Sequence, residues 1–229
     1  MIAFGNRLDD LMGGIPPGIL THFYGPPASG KTNVALIATA RALGAGKVLY
    51  VDPEGGFSPD RLAQIAGDRY MDVLDNTLLI RPTTFEEQKV ALGKVAEMVT
   101  SMKVALVVVD SIAMLYRMEE DKDVRMLGRM LAGLLRVARK HDVPVLLTNQ
   151  VYSDFETRIV RPIGGTITEY FTKTIIELAR DADGSRVAIL RRHPTKHEGE
   201  CLKFRIVDAG IEPLQGYCKM ESPEDRPAT

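Results

Sequence analysis

Gly25-Pro26-Pro27-Ala28-Ser29-Gly30-Lys31-Thr32 is the stretch that decides the fold of this 229-residue chain. It satisfies the pattern G-x-x-x-x-G-K-[ST] in full. Leu20 to Tyr24 ahead of it reads as an apolar strand, and Lys31 to Leu43 behind it as a helix. A glycine-rich turn between strand and helix lets backbone N–H groups face an anion beside the positive end of the helix. Lys31 then reaches the outer phosphates of a triphosphate, and the Thr32 hydroxyl suits a magnesium ion. Pro26 and Pro27 stiffen the entrance, while Gly25, Ala28, Ser29, Gly30 and Asn33 complete the contact set. The expected ligand is a nucleoside triphosphate with Mg2+.

Outward from this loop, short β-branched runs alternate with helical patterns. Lys47–Val51, Leu78–Arg81, Val104–Val109 and Val143–Thr148 read as strands. Helices are expected after Ser58, with Pro59 at the first position, over Thr84–Ser101, and over Val124–Lys140. Val104 to Val109 is apolar throughout, as suits a strand buried on both faces of a parallel sheet. Val151 to Gly165 shows no period and reads as a loop. Thr174–Ala179, Arg186–Arg192 and Leu202–Val207 read as closely spaced strands. The expectation is therefore α/β: a doubly wound, mainly parallel sheet flanked by helices, with antiparallel edge strands toward the C-terminus. Residues 1–220 form one core in this reading. Residues 221–229, with Pro223, Pro227 and several charges, form a disordered tail.

Composition bounds the rest. The chain is 45% hydrophobic and 26% charged, with a net charge of −1. It has no global positive charge to supply nucleic-acid affinity, so any such contact must come from a local patch. The N-terminus lacks the apolar run of a signal peptide, and no apolar stretch is long enough to cross a bilayer. Cys201 and Cys218 read as reduced thiols. Together these features place the chain in the cytoplasm, with no membrane partner.

Three further segments end apolar strands on polar residues. In Ala105-Leu-Val-Val-Val-Asp110-Ser111, a strand-end carboxylate is placed to hold magnesium through water. In Tyr50-Val-Asp-Pro-Glu54-Gly-Gly-Phe57, Glu54 is either a base that polarises water or an ordinary turn carboxylate. In Thr148-Asn149-Gln150, the amide of Gln150 either senses the terminal phosphate or caps the strand.

GPPASGKT, YVDPEGG, ALVVVDS and TNQV, in this order, resemble the RecA/RadA recombinase ATPases, and within them the archaeal RadB group. The similarity runs from Gly5-Asn-Arg-Leu-Asp-Asp-Leu-Met-Gly-Gly14 to Val207-Asp-Ala-Gly-Ile-Glu212. It implies a RecA-like core in which Lys31 and Thr32 serve triphosphate and magnesium. Glu54 matches the catalytic glutamate, Asp110 the Walker B carboxylate, and Gln150 the glutamine that links the γ-phosphate to the second DNA loop. Arg61 and Gln64 match positions that hold the adenine base, and a guanidinium plane can indeed stack on a base. The family's N-terminal helical DNA-binding domain is not expected, because the sequence reaches the core almost at once.

The resemblance also implies DNA, in single-stranded form, and a RadA-type recombinase as partners; a homodimer is allowed. For DNA, Arg125, Arg129, Arg136 and Lys140 share one helical face. That face is equally read as the solvated side opposite a buried Leu127-Leu131-Leu134-Leu135-Ala138 stripe. Tyr152, Phe155, Arg158 and Arg161 interleave aromatics with cations, which suits single strands or packs the loop on the body. Arg191, Arg192 and Lys196 form a third cluster beside His193 and His197. The expected role is an ATP-binding recombination and repair accessory protein with weak ATP hydrolysis acting as a switch. The alternative is a mediator that docks on the main recombinase, with nucleotide largely structural.

Overall fold

Residues 1–121, 123–153, 160–181, 183–214 and 218–219 are described by the computed structural model. Its helices are α1 (Leu8–Met12), α2 (Lys31–Arg41), α3 (Pro59–Ala66), α4 (Tyr70–Asp75), α5 (Phe85–Ser101), α6 (Met114–Met118), α7 (Val124–His141) and α8 (Thr166–Phe171). Its strands are β1 (Leu20–Tyr24), β2 (Lys47–Val51), β3 (Thr77–Ile80), β4 (Val104–Val109), β5 (Val145–Asn149), β6 (Val151–Ser153), β7 (Val160–Pro162), β8 (Thr174–Arg180), β9 (Arg186–Arg192), β10 (Glu200–Val207), β11 (Gly210–Pro213) and β12 (Cys218–Lys219).

One large sheet runs in the order β11-β10-β9-β8-β1-β5-β4-β2-β3, with β12 paired to β10. The pairings from β8 through β1, β5, β4 and β2 to β3 are all parallel. Those of β8, β9, β10, β11 and β12 with one another are antiparallel. The parallel part sets the ends of β1, β2, β4 and β5 along one edge, where ligands bind in doubly wound sheets.

Two apolar layers sandwich the sheet. Leu8, Val34, Leu62 and Val73 bring α1 to α4 onto one face, together with Phe23, Tyr50, Leu106 and Val108. Phe85, Val95, Leu127, Leu131 and Leu134 bring α5 and α7 onto the other, against Leu20, Val107, Val109 and Val145. The residues of β4 thus alternate between two cores, which is why the strand is apolar throughout. Caps fix the helix starts: the Ser58 side chain accepts from Arg61 N at α3, and Thr84 from Glu87 N at α5.

Several expectations need correction. Val151 to Gly165 is not all loop: β6 and β7 pair antiparallel, joining Val151 to Pro162 and Ser153 to Val160. These three-residue strands are too short to display a period. Phe155 and Arg158 lie outside the described residues, as does the tail 221–229. α1, α4, α6 and α8 were not anticipated, since five or six residues give barely more than one turn of pattern. Cys201 is disulfide-bonded rather than a free thiol. Cys218 is the one other cysteine in the sequence, and β10–β12 pairing sets it opposite Cys201. The thiol argument for compartment therefore no longer holds. Among the described residues no helix is long and apolar enough to cross a membrane.

Candidate nucleotide site and nucleic-acid interface

The phosphate loop is shaped by close approach. A Cβ on Gly25 would lie 2.2 Å from the Leu178 carbonyl oxygen of β8, so no side chain fits there. Gly30 has φ +103°, a left-handed conformation that glycine adopts without strain. Pro27 and Ala28 are exposed, while Ser29 is buried and its Oγ has no hydrogen-bond partner among the described residues. Lys31 is 5% exposed, and its ammonium donates to Gly25 O (2.8 Å), Pro26 O (2.9 Å) and Gln150 Oε1 (3.3 Å). Burial lowers its pKa to about 8, against the pull of Glu54 and Asp110. A desolvated cation in a ring of backbone dipoles is a site prepared for an anion.

The strand ends bring the other candidates to Lys31. Asp110 is buried, and burial raises its pKa; hydrogen bonds from Thr148, Tyr50 and Thr32 oppose the rise, and Glu54 adds to it. Tyr50 Oη donates to Asp110 Oδ2 at 2.8 Å, and Thr148 Oγ1 donates to Oδ1. Both carboxylate oxygens are thus held from behind. Thr32 and Asp110 sit in contact, the pairing that a magnesium site of hydroxyl and water-bridged carboxylate requires. The hard oxygen donors fit that ion. Glu54 Oε1 accepts from Ser111 Oγ at 2.7 Å, and both its oxygens lie 3.4 Å from Gln150 Nε2. Lys31, Gln150, Glu54 and Ser111 form one chain of contacts across the ends of four strands.

Arg61 and Gln64 sit beside this loop. Arg61 donates to Asn33 Oδ1 (2.9 and 2.7 Å), Gln64 Oε1 (2.7 Å), Val207 O (2.6 Å), Asp208 O (3.2 Å) and Gly210 O (3.3 Å). Asn33 Nδ2 donates to Gly210 O at 3.2 Å. The edges of the guanidinium are occupied, which fixes the orientation of its plane.

With this geometry in view, comparison with known proteins decides the family. A family model described as Rad51 matches residues 2–214. The chain belongs to the Rad51 family, in its RadB group. It is 40% identical over 220 residues to a DNA repair and recombination protein RadB of Methanosphaera stadtmanae, covering 92% of this chain and 95% of the relative. It is 43% identical over 223 residues to the RadB of Thermococcus kodakarensis, covering 94% of this chain and 100% of the relative. A crystal structure of the RadB recombinase overlays with a TM-score of 0.83 at 43% identity, covering 94% of this chain and 100% of that one.

The basic candidates separate once RadB-type topology is seen in three dimensions. Arg191 Nε pairs with the buried Glu177 at 2.8 Å, which also accepts from Tyr24 Oη at 3.0 Å. Arg192 Nη1 donates to Glu169 O at 2.5 Å and to Thr172 O, carbonyls at the end of α8. Lys196 Nζ donates to Asp10 O, and the His193 ring contacts Met12 O at 3.1 Å, so both serve the end of α1. These cations are committed to internal anions and carbonyls. Arg125 pairs with Asp123 (3.0 Å) and Arg129 meets Met126 Sδ at 3.7 Å, whereas Arg136 and Lys140 are exposed without an ion pair among the described residues.

Arg161 opens instead on a cleft of about 510 Å³ lined by Tyr116, Arg117, Val124, Tyr152, Ile163, Gly164 and Gly165. Tyr152 is 48% exposed, and Arg117 and Arg161 have no ion pair among the described residues. The cleft is tied to the phosphate site: Asn149 Nδ2 donates to Ile163 O at 2.7 Å, and Ile163 N to Gln150 O at 3.0 Å.

Reading the sequence missed Tyr50, Ser111 and Thr148 as supports of the acidic pair. The signal for Tyr50 was present, because a tyrosine in an otherwise apolar buried strand needs a partner for its hydroxyl.

Proposed function

We propose that this protein is an ATP-binding recombination and repair accessory factor whose nucleotide state governs its hold on single-stranded DNA. The observation that carries the reading is the chain from Lys31 through Gln150 to the root of the β6–β7 hairpin, whose flank lines the aromatic and basic cleft. Bound ATP with Mg2+ supplies a γ-phosphoryl group for transfer to water and a compact charge at Lys31. Lys31 exchanges its carbonyl partners for phosphate oxygens, which releases Gln150 Oε1. Gln150 then reorients, and Ile163 follows through Gln150 O and Asn149. Glu54, with Oε1 fixed by Ser111, offers its other oxygen to accept a proton from water. Thr32 and Asp110 hold the metal side, and the Arg61 face takes the base.

Hydrolysis in this account is slow. Phosphoryl transfer rests on positive charge around the transferring group, and Lys31 is the one basic side chain within this contact chain. In the cleft, the half-exposed Tyr152 offers a ring face to a base while Arg117 and Arg161 meet phosphates. The commitment of Arg191, Arg192 and Lys196 to internal partners favours a second reading: a mediator of a RadA-type recombinase in which nucleotide is mainly structural.

Steady-state ATPase rates of the wild type, Lys31→Ala and Glu54→Gln, with and without oligo-dT, test the choice. The proposal expects a low rate that depends on both residues and responds to DNA. A rate at background in every case, with ATP still bound, leaves the mediator.

A further inference from the structure

The second half of α7 carries a basic feature that the nucleic-acid cleft does not use. Arg136, Arg139 and Lys140 line an open cleft of about 450 Å³ between α7 and α8, together with Ala132, Leu135 and Phe171. All three cations are exposed, and none is in an ion pair among the described residues. Arg125, at the other end of the same helix, is paired with Asp123. Arg139 and Lys140 in the last turn suit the negative end of the helix dipole. Arg136 lies nearly a turn earlier, and the i,i+3 and i,i+4 spacings put all three on one side.

The floor is what the dipole does not explain. Ala132, Leu135 and Phe171 are only half-buried, and neighbouring Tyr170 is 76% exposed with its ring against Phe171 at 5.1 Å. A phosphate backbone or a free anion gains nothing from an apolar floor. A bulky apolar side chain flanked by carboxylates gains twice: it fills the concavity, and its neighbours take charge-assisted bonds from two guanidinium groups. Arg136 lies roughly 18 Å along α7 from Val124, which lines the other cleft, so the two surfaces can be occupied together.

We propose that the α7–α8 cleft docks an acidic segment of a partner protein that presents one bulky apolar residue. This goes beyond the nucleotide and DNA reading and reassigns Arg136 and Lys140 from it. The test uses fluorescence anisotropy with a labelled decapeptide of aspartates and glutamates around a central phenylalanine. The same peptide with serine at the centre, and labelled dT20, are the companion probes. The expected result is saturable binding that weakens at least tenfold in Arg136→Glu/Arg139→Glu and at least fivefold on loss of the central phenylalanine, with dT20 affinity unchanged. Both substitutions are at exposed positions, and a retained unfolding midpoint shows that the fold is intact. Equal peptide affinity in the variant, or equal affinity for the serine peptide, overturns the proposal. So does loss of dT20 affinity in the variant, which makes this surface a nucleic-acid track.

Discussion

His22 sits at the centre of β1, fully buried, with neither ring nitrogen hydrogen-bonded among the described residues. Burial lowers its pKa from 6.5 to about 3. The native state therefore stays neutral at His22 where the unfolded chain takes up a proton, so stability is lost as pH falls below 6.5. Linkage over that interval costs about 1 kcal/mol at pH 6 and about 2 kcal/mol at pH 5, at 1.36 kcal/mol per unit. His22→Leu keeps nearly the same volume and removes the titration. Urea unfolding at pH 7.5, 6 and 5 reads the difference. With a slope of about 2–3 kcal/mol per molar, the wild-type midpoint should drop by roughly 0.7–1 M more than that of the variant between pH 7.5 and 5. The other histidines are common to both chains and cancel. At pH 7.5 the variant should be at least as stable, because two unpartnered buried nitrogens are gone. Parallel pH profiles in the two chains would refute the reasoning.

Other predictions concern the site. Lys31 has a pKa of about 8 without ligand, and phosphates raise it; ATP affinity, measured by titration calorimetry, should hold at pH 7 and fall toward tenfold per unit above pH 8. Gly25→Ala places a carbon against the Leu178 carbonyl, which strand pairing holds in place, so ATP affinity should drop by at least a hundredfold with about 1–3 kcal/mol lost in stability. Arg117→Ala and Arg161→Ala should each weaken single-strand binding whatever the base sequence and flatten the slope of log K against log salt by about 0.7; Arg191→Ala should instead destabilise the fold by leaving Glu177 with a weakened partner set.

How far the sequence spoke depended on range. The loop Gly25–Thr32 was legible on its own; Glu54, Asp110 and Gln150 each end a local apolar run, a pattern that by itself left Glu54 and Gln150 open between a chemical role and an ordinary strand end. Their convergence follows from parallel pairing of β1, β5, β4 and β2, which short-range pattern implies only through fold class. The contacts that tune the site span long separations: Tyr50 to Asp110, Ser111 to Glu54, and Arg61 to the Val207–Gly210 turn. No local periodicity encodes them. The basic cluster at Arg191 to Lys196 shows the converse hazard. Its charges look available in sequence, yet they end on Glu177 and on the open carbonyls of α8 and α1, helices too short to be foreseen. Residues 151–165 hid a hairpin for the same reason, since Val151–Ser153 and Val160–Pro162 are three residues each.

The most direct test of nucleotide-governed DNA binding is the affinity for labelled oligo-dT at fixed salt, without nucleotide, with ADP, and with a non-hydrolysable ATP analogue, in the wild type and Gln150→Ala. The account predicts that the analogue tightens binding at least fivefold over ADP in the wild type, and that this gap closes in the variant. Equal affinity in all three nucleotide states of the wild type would contradict it.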